Sequence, residues 1–263
     1  MNRLRRLFDL HHGQQKKFLS IFITAGYPEL DSTAKLVRIL EGAGADFLEI
    51  GMPFSDPMAD GPTIQRASQR ALENGMTLTL LLEQVRVIRE HSSIPILVMS
   101  YFNPIMQFGL NDFINEAERA GVDGLIIPDL IPEEYGNLPE PFKESSIGQN
   151  FLISPNTEPS RILKVDELTS NFIYCVAMTG VTGARRGIHS ETVPFLNSLK
   201  DRVKHPYLVG FGISKPEDVR TLIQFCDGVI VGSALINVID SFQKENERLD
   251  ALKKFITQLK REM

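Results

Sequence analysis

The stretch FLEIGMPFSDPMADGPTIQ, residues 47–65, opens as a buried strand and continues as a rigid acidic loop. Phe47, Leu48, Ile50 and Met52 are apolar, yet Glu49 stands among them. Asp46, Asp56 and Asp60 frame a run that also holds Pro53, Pro57, Gly61 and Pro62. A carboxylate within an apolar strand is costly unless it finds partners or stays protonated. A carboxyl of raised pKa can act as a general acid near neutral pH. Glu49 therefore reads either as a catalytic acid or as a structural carboxylate, and a barrel interior suits it better than a wet strand edge. Asp56 and Asp60 are harder to separate, since loops after strands often use Asp for turns and caps. By chemistry alone, Asp60 reads first as a cap for a helix beginning near Thr63.

Working outward, runs of the same apolar kind recur along the chain. They cover 18–24, 46–51, 95–101, 122–128, 150–153, 172–177, 207–211 and 227–231. They are rich in Val, Ile, Leu or Phe without strict alternation, as expected of strands buried on both faces of a parallel sheet. Amphipathic stretches lie between them. DSTAKLVRILEGAGA has an Asp/Ser cap and closes on Gly42 and Gly44. NDFINEAERAGVD starts at Asn111 or Asp112 and closes on Gly121. KPEDVRTLIQFCD puts Pro216 in the first turn, where a missing N–H costs nothing. Eight strands alternating with helical segments predict a (β/α)8 barrel, with an open doubly wound sheet as the alternative. A helix around 2–10 and another around 246–261 are added at the ends. No linker interrupts the pattern, so 1–263 reads as a single domain.

The 263 residues are 43% apolar, enough for a sizeable core, and the formal charge of −5 argues against a nucleic-acid footprint. Cys175 and Cys226 both sit in apolar runs and read as reduced core thiols. Cys and His show no metal spacing. The basic N-terminus lacks the apolar region of a signal peptide. No apolar run approaches the roughly 18 residues of a membrane span. A cytoplasmic protein is expected.

In such a barrel the active site lies at the C-terminal strand ends. Three glycine-rich ends follow the last three strands: TGVTGARRG (179–187), GFGIS (210–214) and VGSAL (231–235). Backbone N–H groups in such turns, with a helix N-terminus behind them, form an anion site. Gly212, Gly232 and Ser233 stand where barrels often hold phosphate. TGVTGARRG reads as a lid, and its Arg185 and Arg186 read as solvated.

With these residues in view, EIGMPFSDPMADGPTIQRA resembles the signature of the tryptophan synthase alpha-subunit family. ITAGYP (23–28), MSYFNPI (99–105), GVDGLIIPDL (121–130), TGVTGAR (179–185), GFGIS and GSAL (232–235) follow in family order and span nearly the whole chain. The resemblance implies a TIM barrel that cleaves indole-3-glycerol phosphate to indole and glyceraldehyde 3-phosphate. It also implies a partner, the pyridoxal-phosphate-dependent beta subunit, in an αββα tetramer. It assigns no cofactor or metal to this chain. By resemblance Glu49 protonates indole C3 and takes the side-chain hydroxyl proton, while Asp60 meets the indole N–H. Tyr174 matches a family tyrosine. Phe22, Ile64, Met99, Tyr101, Ile126, Leu152 and Phe211 match apolar positions around the indole. Gly183, Gly212, Gly232 and Ser233 match the phosphate cradle. Pro53, Asp56 and Asn103 would face the partner. One departure is PDLIPEE, where Ile131 takes the usual proline place and Pro132 follows. Three rival readings are a free-standing lyase of the same chemistry, a non-catalytic alpha chain, and another phosphate-binding barrel.

Overall fold

The computed structural model describes residues 2–11, 14, 16–176, 190–210 and 212–263. Its strands are β1 (Phe18–Thr24), β2 (Phe47–Gly51), β3 (Ile96–Met99), β4 (Gly124–Ile126), β5 (Gly148–Asn150), β6 (Leu152–Ile153), β7 (Ile173–Val176), β8 (Tyr207–Gly210) and β9 (Gly228–Val231). All pair in parallel, in the order β5-β4-β3-β2-β1-β9-β8-β7-β6. First and last strands are neighbours, as a closed barrel requires and an open doubly wound sheet does not.

The expected strand at 150–153 is two pieces, β5 and β6, parted by Phe151 alone. β5 pairs with β4 and β6 with β7, and the Phe151 carbonyl accepts the Tyr174 N–H at 2.9 Å. This one stretch therefore closes the ring.

Strand parity sorts the side chains. Leu48 and Ile50 of β2 pack outward in the core shared with helix residues such as Leu36, Val37, Leu82 and Val85. Phe47 packs inward with Phe18, Phe22, Leu97, Phe172, Leu208 and Ile230. Glu49 has the parity of Phe47, so its carboxyl stands in the barrel interior. The helix Arg3–Leu10 closes the floor: Asn2 caps it, Leu4 is buried, and the Phe8 ring lies 4.7 Å from Phe18 and 5.9 Å from Phe172.

Helix ends follow the sequence with two corrections. Gly121 ends Leu110–Ala120 at φ 87, and Pro216 starts Pro216–Leu222. The cap of the former is Gly109, so Asn111 and Asp112 fall inside the first turn. Asp31 occupies the cap of Ser32–Gly42 without a side-chain bond to it; the Ser32 hydroxyl turns to Glu29 instead, at 2.7 Å. The terminal helix Glu245–Lys260 buries Leu252, Ile256 and Leu259. Both cysteines are buried and free. Among the described residues no helix is long and apolar enough to cross a membrane.

Candidate active site

A cavity of about 600 Å³ opens at the C-terminal strand ends. Phe22, Asp60, Thr63, Ile64, Met99, Tyr174, Gly212, Ile230, Gly232 and Ser233 line it.

Glu49 is fully buried (0% exposed) and does not itself reach the cavity wall. Its register partner on β1 is Phe22, which does. Oε1 accepts the Ser20 hydroxyl at 2.8 Å, and Oε2 has no hydrogen-bond partner among the described residues. Loss of water pushes the Glu49 pKa up to about 8, with the Ser20 hydroxyl pulling the other way. At neutral pH the group is mostly a protonated acid.

Asp60 ends the loop after β2. Burial pushes its pKa up to about 6, against a hydrogen bond from the Tyr101 side chain. The Tyr101 hydroxyl also accepts the Ala59 N–H at 2.8 Å, so one phenol holds two successive loop residues. The capping reading of Asp60 gives way here. The cap of Pro62–Glu73 is Gly61, which has no side chain to offer, and the Asp60 carboxyl is engaged with Tyr101 instead. Phe54, which lacks an obvious partner in the sequence, packs its ring 5.3 Å from that of Tyr101.

Tyr174 is buried within electrostatic reach of both carboxyls. Its hydroxyl pKa is raised well above the usual value, by burial first and then by Glu49 and Asp60. Two glycines make room for the neighbouring rings. A Cβ on Gly210 would lie 2.5 Å from Cζ of Tyr174, and one on Gly51 would lie 2.5 Å from Cζ of Phe22.

Across the cavity, Gly212 takes φ 82, and Gly232 is the cap of the helix Ser233–Asp240. The N–H groups and positive dipole end of a helix start attract anions. The adjoining turn is held by Asp218, whose carboxylate accepts the Ser214 and Lys215 N–H groups, each at 3.0 Å.

The structure thus gathers Phe22, Asp60, Ile64, Met99, Tyr174, Gly212, Gly232 and Ser233 around one cavity. Tyr101 lines a small annex with Asp60 and Met99. Ile126 and Leu152 do not line the main cavity; Ile126 is wholly buried in the interior and Leu152 is packed against that cluster. Gly183, Arg185, Arg186 and Phe211 lie outside the described residues. Of the docking candidates, Asp56 and Asn103 are exposed, whereas Pro53 is buried within the chain. Sequence reasoning missed Ser20, Gly51, Thr63, Gly210, Lys215, Ile230 and Asn237. Strand parity could have placed Ser20, Gly51, Gly210 and Ile230 inside; the others carry no local signal.

A parallel (β/α) barrel with two carboxyl groups of raised pKa gathered at its C-terminal mouth is the frame of a barrel enzyme that works by acid–base chemistry. Residues 8–263 match the family model described as tryptophan synthase alpha chain. The chain belongs to that family. The tryptophan synthase alpha chain of Geotalea daltonii is 45% identical over 242 residues, 92% of each chain. That of Thermoanaerobacter sp. is 41% identical over 260 residues, 99% of each. The Legionella pneumophila tryptophan synthase subunit alpha superposes with a TM-score of 0.88 at 35% identity, covering 100% of this chain and 98% of that one. A structure of the Pyrococcus furiosus tryptophan synthase α2β2 complex gives 0.85 at 39% identity, covering 93% and 98%.

Proposed function

We propose that this chain is the alpha subunit of a tryptophan synthase and cleaves indole-3-glycerol phosphate to indole and glyceraldehyde 3-phosphate. The observation that carries the reading is Glu49: a buried carboxyl, protonated near neutrality, with one oxygen unpartnered among the described residues, beneath a cavity that Asp60 lines.

The reaction is a retro-aldol cleavage. Indole leaves poorly as a carbanion, so C3 must first gain a proton, and Glu49 supplies it. Positive charge then develops at the ring nitrogen, and the Asp60 carboxylate accepts its N–H. When the carbon–carbon bond breaks, its electron pair returns to the indole ring. The side-chain hydroxyl loses its proton and becomes the aldehyde. Glu49, now a carboxylate, takes that proton and is restored.

Phe22, Ile64, Met99 and Tyr174 surround the indole in this reading, with Tyr101 in the annex beside Asp60 and Ile126 and Leu152 in the inward cluster that supports them. The phosphate is held by backbone N–H groups of Gly212, Gly232 and Ser233 rather than by Arg185 or Arg186; Gly183 is matched to the cradle by resemblance alone. A beta subunit, which carries the pyridoxal phosphate, docks on a face that includes Asp56, Asn103, the 53–62 loop and the loop of Ile131 and Pro132. It receives the indole and joins it to serine in an αββα tetramer. The chain acts as one domain in the cytoplasm and holds no cofactor or metal of its own.

The test is indole release from indole-3-glycerol phosphate, with and without a cognate beta subunit. Release that beta accelerates supports the reading. Fast release that ignores beta identifies a free-standing lyase, and no release under either condition overturns the assignment.

A further inference from the structure

Ser20 is fully buried on the inward face of β1, between Phe18 and Phe22 on that face and beside Ile230 of β9 in register. A hydroxyl in such surroundings needs a partner. The partner is Glu49 Oε1, at 2.8 Å. Register aligns Glu49 with Phe22 and aligns Ser20 with Phe47, so Ser20 lies one inward layer nearer the barrel floor. The bond therefore reaches the carboxyl from beneath, on the side away from the cavity. A hydroxyl that donates to Oε1 makes that oxygen the carbonyl-like acceptor. The acidic proton of the neutral group is then on Oε2, the oxygen without a partner among the described residues.

We propose that Ser20 is a positioning residue for the cleavage, fixing Oε1 of Glu49 so that Oε2 is the oxygen that exchanges protons with the substrate. The inference rests on the reading of Glu49 as the acid. Ser20 touches no reacting atom; it acts by removing the rotational freedom of a carboxyl that two equivalent oxygens would otherwise share. The titratable group within electrostatic reach of Glu49 among the described residues is Tyr174 from β7, which is in turn within reach of Asp60 from the loop after β2. From β3 its register partner is the apolar Leu97. Ser20 is thus the side chain whose hydrogen bond favours the charged form of Glu49 against burial.

The experiment compares wild type, Ser20→Ala, Ser20→Thr and Glu49→Gln. One arm titrates the Glu49 carboxyl in the chain by carbon-13 NMR, using Glu49→Gln to identify the resonance; it needs no substrate. The other follows indole release in the presence of a cognate beta subunit across pH. Ser20→Ala should raise the NMR midpoint, shift the basic limb of the rate profile upward and lower kcat on the order of 10-fold, with KM changed by less than about twofold. Ser20→Thr, which keeps the hydroxyl, should restore all three; should its extra methyl unfold the chain, Ser20→Ala alone decides. If Ser20→Ala leaves midpoint, limb and kcat at wild-type values while Glu49→Gln is inactive, the positioning role is overturned and the acid assignment stands. If wild type releases no indole, or Glu49→Gln turns over normally, the acid assignment falls and the inference falls with it.

Discussion

Tyr174 occupies the space that any side chain at residue 210 would need: a Cβ on Gly210 would sit 2.5 Å from Cζ and 2.6 Å from Cε1 of the tyrosine ring. Gly210 ends β8, and Tyr174 stands on the neighbouring strand against both acids. Gly210→Ala should therefore push the ring toward Glu49 and cut turnover by at least about tenfold, since small misplacements near the reacting atoms are costly. Gly210→Ala with Tyr174→Leu should recover part of that loss, because the smaller side chain vacates the space. Steady-state kinetics of the two single variants and the double variant give the coupling. Independent, additive losses would contradict the packing argument.

The two carboxyls predict a bell-shaped dependence of kcat/KM on pH. Asp60 must be ionised to hold an N–H, so the rate rises as pH passes about 6. Glu49 must be protonated to give its proton, so the rate falls as pH passes about 8. Stability follows with its own sign. The folded pKa of Glu49 is raised from 4.5 to about 8, so burial of the neutral acid costs little at low pH, while stability is lost as pH climbs from about 4.5 through about 8. Glu49→Gln lacks that loss. Its melting temperature should rise relative to wild type across this window and level off above it. A constant difference would mean that Glu49 titrates normally.

How far the sequence reached depends on the kind of signal. Strands announced themselves as Val, Ile and Leu runs because both faces of a parallel barrel are buried. The break at Phe151 did not, since an apolar residue between two short ladders looks like any strand residue. Glu49 was legible because a carboxylate in FLEIG violates its surroundings. Ser20 in FLSIFIT was not, because a lone serine in a strand is common and its meaning lies in a residue on the next strand. The cap reading of Asp60 failed for a similar reason: Tyr101 claims its carboxyl from a distant loop. Gly51 and Gly210 owe their place to rings on adjacent strands, which no local turn signal encodes.

For the anion wall, Gly212→Ala is the informative change. Gly212 holds φ 82, where an L side chain costs roughly 1–2 kcal/mol. The turn should relax away from the phosphate, raising KM for indole-3-glycerol phosphate roughly 5- to 30-fold with kcat changed far less. Unchanged KM would move the phosphate elsewhere.

The loop of residues 53–62 should respond to a beta subunit. Met58 is 78% exposed on it and Asp56 is exposed beside it, whereas Ala59 and Asp60 are already tied to Tyr101. This part of the loop is open to a partner, and covering it would slow exchange at its amides. Hydrogen exchange at the Ser55, Asp56 and Met58 amides should be fast in the free chain and slow on adding beta, while the Ala59 amide changes little. Equal rates with and without beta would exclude this loop from the interface.

The most direct measurement is single-turnover indole release by wild type and Glu49→Gln in the presence of a cognate beta subunit, with substrate binding measured alongside. The account predicts that Glu49→Gln binds indole-3-glycerol phosphate about as well as wild type yet releases indole at least roughly 10²-fold more slowly. Near-normal release by that variant would contradict the assignment of Glu49 as the acid.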